Sequence, residues 1–128
     1  LLIILLQFSG KIRSLASHIM ALDKTLPSSD YYAVIFSSEK SADTEGYAEM
    51  DEATMRLAAE VPGFLGYESV RDGNRSIFIS YWESMAAIEV WKENATHKSA
   101  KDQARKWYRR YLSQVCRVES SRQHEFND

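Results

Sequence analysis

Four residues in one short run carry the chemistry of a small-molecule site: Trp82, Trp91, Asn94 and His97. Two indoles can stack on the faces of a flat aromatic guest and keep water from it. An imidazole titrates near neutral pH and can take or return one proton of a phenol. The carboxamide of Asn94 can hold a substrate oxygen. Phe78 would extend the aromatic wall, and Tyr32 would add a hydroxyl to it. Each of these residues also has a plainer reading. Trp82, Phe78 and Trp91 fit a core between sheet and helix. Asn94 fits a helix end, His97 a solvated helix start, and strand tyrosines such as Tyr31, Tyr32, Tyr67 and Tyr81 a subunit seam.

Positioning such a cluster takes a strand that hands over to a helix. Arg75–Trp82 reads as that strand, Ser84 as the helix N-cap, and the residues after it have helical spacing. Upstream, Tyr31–Ser37 is β-branched and aromatic, hence a strand, with a polar, turn-like stretch after it. Tyr47, Met50, Thr54, Leu57 and Val61 recur by threes and fours, which predicts a helix over 45–61 that Pro62-Gly63 stops. Phe64–Arg71 is a strand, joined to the next through a hairpin at Asp72-Gly73-Asn74. Helical segments are expected over 84–93 and 96–109, and a last strand over 111–120. The order strand–helix–strand–strand–helix–strand is the split βαβ pattern of a ferredoxin-like sandwich. The fold class is therefore α+β, with an antiparallel sheet and helices on one face.

The strands alternate poorly. Ile77, Ile79 and Tyr81 point one way while Phe78 and Trp82 point the other; Tyr31, Ala33 and Ile35 oppose Tyr32, Val34 and Phe36. Helices cover only one of these faces. Apolar area costs about 25 cal/mol per Å² to leave in water, so the second face is expected to bury against a second copy of the same sheet in a homodimer.

Ahead of this domain, Leu1, Leu5, Phe8, Ile12, Leu15, Ile19, Leu22 and Leu26 form one apolar stripe at helical spacing. Residues 1–29 are expected to be an amphipathic helical extension, 30–122 the domain, and 123–128 a polar tail. A processed targeting segment or a stretch foreign to the native chain are rival readings of the first residues. The opening run Leu1–Phe8, apolar but for Gln7, is too short to span a bilayer, and no basic lead-in precedes it.

Composition narrows the partners. The chain of 128 residues has a formal charge of −2, with 45% hydrophobic and 27% charged residues, the balance of a single globular domain. A net acidic chain argues against nucleic acid. One cysteine, Cys116, allows no internal disulfide and no cysteine-based zinc site, which makes a reducing cytoplasmic setting the default. Cys116 itself reads as a small buried hydrophobe. His18, His97 and His124 are far apart, no metal-ligand spacing occurs and no glycine-rich phosphate loop is present. No metal and no resident cofactor are expected. The basic run from Lys98 to Arg110 reads as a solvated helix face.

Residues 31–120 resemble the antibiotic biosynthesis monooxygenase family. The resemblance rests on Tyr31–Phe36, on Pro62–Gly66, on Tyr81-Trp82-Glu83-Ser84, on Trp91 nine positions after Trp82, and on Trp107-Tyr108 followed by Val115–Glu119. It implies a dimer with a joint β-barrel, and one of several activities. Some members oxygenate phenols or quinols with O₂ and no cofactor; others cleave haem; many have no known role. Haem-cleaving members carry a His ten positions after the helix Trp and an Asn on the first strand. Here those places fall to Lys101 and to Ser37 or Ser38, with His97 six positions after Trp91. The expectation is therefore a cofactor-independent monooxygenase-like enzyme acting on a small aromatic or quinol. A haem-binding protein and a non-enzymatic dimeric binding module are the alternatives.

Overall fold

Residue alternation along each strand decides which side chains meet the helices. A computed structural model of the chain describes residues 26–94 and 103–127. Tyr31–Lys40 forms β1, Tyr47–Glu60 α1, Phe64–Asp72 β2, Arg75–Trp82 β3, Met85–Lys92 α2, Ala104–Trp107 α3 and Tyr108–Val118 β4. The four strands make one sheet in the order β2-β3-β1-β4, and every neighbouring pair is antiparallel. This is the α+β ferredoxin-like sandwich that the element order implied.

Cross-strand partners share a face. Val34 sits between Ser80 and Val115, and Phe36 between Phe78 and Ser113. Val34, Phe36, Phe78 and Trp82 are all buried, and they form one cluster with Ala87, Ile88 and Trp91 of α2 and Tyr47 and Ala58 of α1. This is the helix-covered face. The other face carries Ile35, Ile77, Ile79, Val70 and Leu112. Exposure there grows toward the β2–β3 hairpin: Tyr31 is 3% exposed, but Ile77 is 44%, Leu112 54% and Val70 55%. The second apolar side inferred from the sequence is present, and within the described chain its hairpin end stands uncovered.

Local signals explain the element ends. Ser84 caps α2, its Oγ accepting from the Ala87 N–H at 3.1 Å. Gly73 takes φ +61° in the turn that joins β2 to β3. Arg71 Nε closes that turn on the Gly73 carbonyl at 2.9 Å.

Two expected boundaries change. β1 does not stop at Ser37 but continues to Lys40, whose N–H donates to the Asn74 carbonyl at 2.9 Å. The polar residues Ser38 and Lys40 are buried there, since they sit on the helix-covered face. Within the expected helix over 96–109, the described part is helical only at Ala104–Trp107, and β4 starts at Tyr108. Partners on β1 draw this segment into the sheet: Tyr108 pairs with Lys40 and Arg110 with Glu39. Arg109 and Arg110 thus belong to a strand rather than to a solvated helix face, and both reach Glu39, at 3.5 and 3.1 Å. Cys116 lies opposite Ala33 and is half-buried rather than fully enclosed. The helical extension expected over residues 1–29 lies outside the described residues up to position 25. Among the described residues no helix is long and apolar enough to cross a membrane.

Candidate functional site

The handover from β3 to α2 brings the two expected indoles together. Trp82 ends β3 and Trp91 lies in the last turn of α2, with ring centroids 6.1 Å apart and planes inclined by 30°. Phe64 meets Trp82 edge-on at 5.2 Å. Trp82 Nε1 donates to Ser80 Oγ at 2.8 Å, so its one polar atom is satisfied within the same strand. Both indoles are fully buried. Phe78 is buried as well, stacked on Tyr67 at 5.2 Å. The structure therefore joins Trp82 to Trp91 and sets Phe78 in the same core cluster, with the rings packed on one another.

Asn94 follows α2 and is half-buried; its backbone N–H donates to the Trp91 carbonyl at 3.1 Å. Tyr32, half-buried on β1, pairs in register with Trp82 and so lies on the same face. His97 lies outside the described residues. Among the described residues no three His, Cys, Asp or Glu side chains converge as a metal site.

The chain matches the family model described as antibiotic biosynthesis monooxygenase over residues 31–103. It is 48% identical over 103 residues to the uncharacterized protein YqjZ of Bacillus subtilis, covering 79% of this chain and 90% of that one. The chain belongs to the antibiotic biosynthesis monooxygenase family. Solved structures share the family fold. SnoaB, a cofactor-independent oxygenase from Streptomyces nogalater, aligns with a TM-score of 0.60 at 14% identity, over 74% of this chain and 96% of that one. Rv0793 from Mycobacterium tuberculosis aligns with a TM-score of 0.63 at 14% identity, over 71% and 97%. PA3566 from Pseudomonas aeruginosa gives 0.61 at 13% identity, over 74% and 100%.

Sequence reasoning missed three features of this family member. The first is a cavity of about 610 Å³ at the hairpin end of the sheet. Each strand supplies three consecutive residues to it, centred on Ser38, Arg71, Ser76 and Tyr111. Alternation turns the outer residues of each triplet to the uncovered face. The cavity floor is thus two cross-strand rows: Leu112, Ser37, Ile77 and Val70, then Arg110, Glu39, Arg75 and Asp72. Only the pairing register reveals these rows, because their members are far apart in sequence.

The second feature is Lys40, buried with its Nζ 4.1 Å from the centroid of the Tyr47 ring. A lysine in a polar stretch gives no sign of burial until β1 is seen to continue through it. The third is the Tyr81 hydroxyl, which donates to Glu68 Oε1 at 2.7 Å on the uncovered face. Burial, and then the bond to Glu68 and its negative charge, push the Tyr81 phenol well above its ordinary range.

Proposed function

We propose that this family member is a cofactor-independent monooxygenase-like enzyme that oxidises a small aromatic or quinol with O₂, working as a homodimer. The observation that carries this reading is the match of residues 31–103 to the antibiotic biosynthesis monooxygenase family, with half-buried Asn94 three residues beyond Trp91. In this reading Trp82, Trp91 and Phe78 form an apolar wall with Tyr32 beside it, Asn94 holds a substrate oxygen, and His97 takes the phenolic proton. The phenolate gives one electron to O₂, and the resulting radical pair closes a carbon–oxygen bond as a hydroperoxide. Loss of water leaves one oxygen atom in the quinone product. The substrate is the reductant, so the balance needs no further electron donor. The homodimer is supported by the apolar, uncovered hairpin end of the sheet.

Aerobic and anaerobic incubation with a panel of quinols tests the reaction. The expected result is oxygen uptake equal to quinone formed, lost without O₂ and reduced in His97→Gln and Trp91→Phe. Product formed equally without O₂ would overturn it.

A second reading is a dimeric module without chemistry, whose pocket is collapsed. The complete burial of Trp82 and Trp91 favours it, because rings packed on each other leave no face for a guest. Absence of both oxygen uptake and quinol binding by calorimetry across the panel would select this reading over the first.

A further inference from the structure

The charged row at the hairpin end is self-complementary. Read across the sheet from β4 to β2 it runs Arg110, Glu39, Arg75, Asp72, alternating in sign and summing to zero. Glu39 is tied within the chain to Arg109 and Arg110. Among the described residues Asp72 and Arg75 make no ion pair, and both are exposed.

We infer that this row is the register device of the self-pairing surface, in which Asp72 meets the partner's Arg110 and Arg75 meets the partner's Glu39 about a two-fold axis parallel to the strands. The inference rests on the homodimer proposed above and adds its axis and its contacts. An interface between identical chains brings one patch against itself. In the aligned class of face-to-face sheet packing the strands of the two sheets stay roughly parallel or antiparallel, which leaves two choices of axis.

An axis across the strands sets each strand against its own copy. If the charged row then meets itself, Asp72 faces the partner's Asp72 and Arg75 the partner's Arg75, and every contact is repulsive. If it meets another row of that face, Glu39 is pressed onto Ser37, Ile35, Ala33 or Tyr31 and Arg75 onto Ile77, Ile79 or Tyr81, so that neither finds an opposite charge, at a desolvation cost. An axis along the strands, midway between β3 and β1, sets β2 over the partner's β4 and β3 over its β1. Every charge in the row then meets its opposite.

The apolar row fits the same arrangement. Val70 meets the partner's Leu112, and Ile77 meets the partner's Ser37, large against small. One rotation thus satisfies both rows that floor the cavity, and the second copy is what covers it.

The test uses the full chain and two single charge reversals, Asp72→Arg and Arg110→Asp. Each places like charges opposite each other twice in its own homodimer. Each is expected to weaken self-association about tenfold, equivalent to about 1.4 kcal/mol, read by sedimentation, with the effect reduced at high salt. Mixed together, the two variants place opposite charges at both contacts, so native mass spectrometry should find the mixed dimer well above its statistical share. Asp72→Arg, at the exposed hairpin end, should keep the fold. It carries the test by its salt-dependent dissociation if loss of the Glu39 pair unfolds Arg110→Asp. Wild-type protein that stays monomeric at high concentration would overturn the homodimer itself. A wild-type dimer whose variants associate and mix as the wild type does would overturn this axis and leave the homodimer standing.

Discussion

Gly63 approaches Ala87 so closely that a Cβ built on the glycine would stand 2.9 Å from the Ala87 Cβ. This contact sets α2 against the start of β2. It is fixed from the other side by the Glu83 N–H, which donates to the Gly63 carbonyl at 2.7 Å. Gly63 also has φ +95°, a left-handed backbone that side chains resist. Gly63→Ala should therefore cost about 1–3 kcal/mol in urea unfolding. Ala87→Gly in the same chain removes the clash but not the backbone strain. The double variant should recover part of the loss relative to the sum of the single ones, and strict additivity would show that the steric contact is unimportant.

The Trp82–Trp91 stack predicts a second hierarchy. Trp91→Ala opens a void among fully buried rings and should cost about 3–5 kcal/mol. Trp91→Phe retains an aromatic face and should cost clearly less, leaving a folded protein in which activity can be read. A Trp91→Ala chain with near wild-type stability would mean that this region relaxes freely, and the core reading of the stack would fall.

Much of this arrangement is legible in the sequence, because periodicity and capping act over a few residues. Ser84 declares itself as a helix start, and Pro62-Gly63 as a stop. The opposed directions of Ile77 and Phe78 already imply two apolar faces. The parts that are not legible depend on partners distant along the chain. β1 continues through Ser38 and Lys40 because Ser76, Asn74 and Tyr108 wait beside it. Arg110 leaves a helical pattern for the sheet because Glu39 is opposite. The charged row exists only after four strands are aligned. For the aromatic residues, composition could not separate a wall from a core; in the structure they pack against one another.

Lys40 tests how a buried ammonium is accommodated. Its Nζ stands over the face of Tyr47, which in turn packs edge-on against Trp107 at 5.6 Å. A cation over an aromatic face in a desolvated setting is worth about 2 kcal/mol. Tyr47→Leu should therefore destabilise the wild-type chain more than it destabilises Lys40→Met, which keeps the apolar stem and removes the charge. A coupling of about 1 kcal/mol or more is expected from the double-mutant cycle, and zero coupling would place the ammonium's stabilisation elsewhere.

The Tyr81–Glu68 hydrogen bond makes stability depend on pH at the alkaline end. Burial is the largest cause of the raised Tyr81 value, with the Glu68 bond and charge next. The folded state therefore holds the phenol proton more tightly than the unfolded chain, whose tyrosines titrate near the ordinary 10.0. By linkage, this contribution is fully present below that pH and is lost as pH rises toward the folded value. Tyr81→Phe lacks the titrating group. At neutral pH it should be less stable than wild type by about 1 kcal/mol, the net worth of the lost bond. Above the ordinary phenol range the wild type loses stability that the variant does not, so the gap should narrow. Urea midpoints of both proteins across the alkaline range provide the comparison, in which the other tyrosines cancel. A gap that stays constant with pH would show that Tyr81 titrates alike in both states and that Glu68 does not hold its proton.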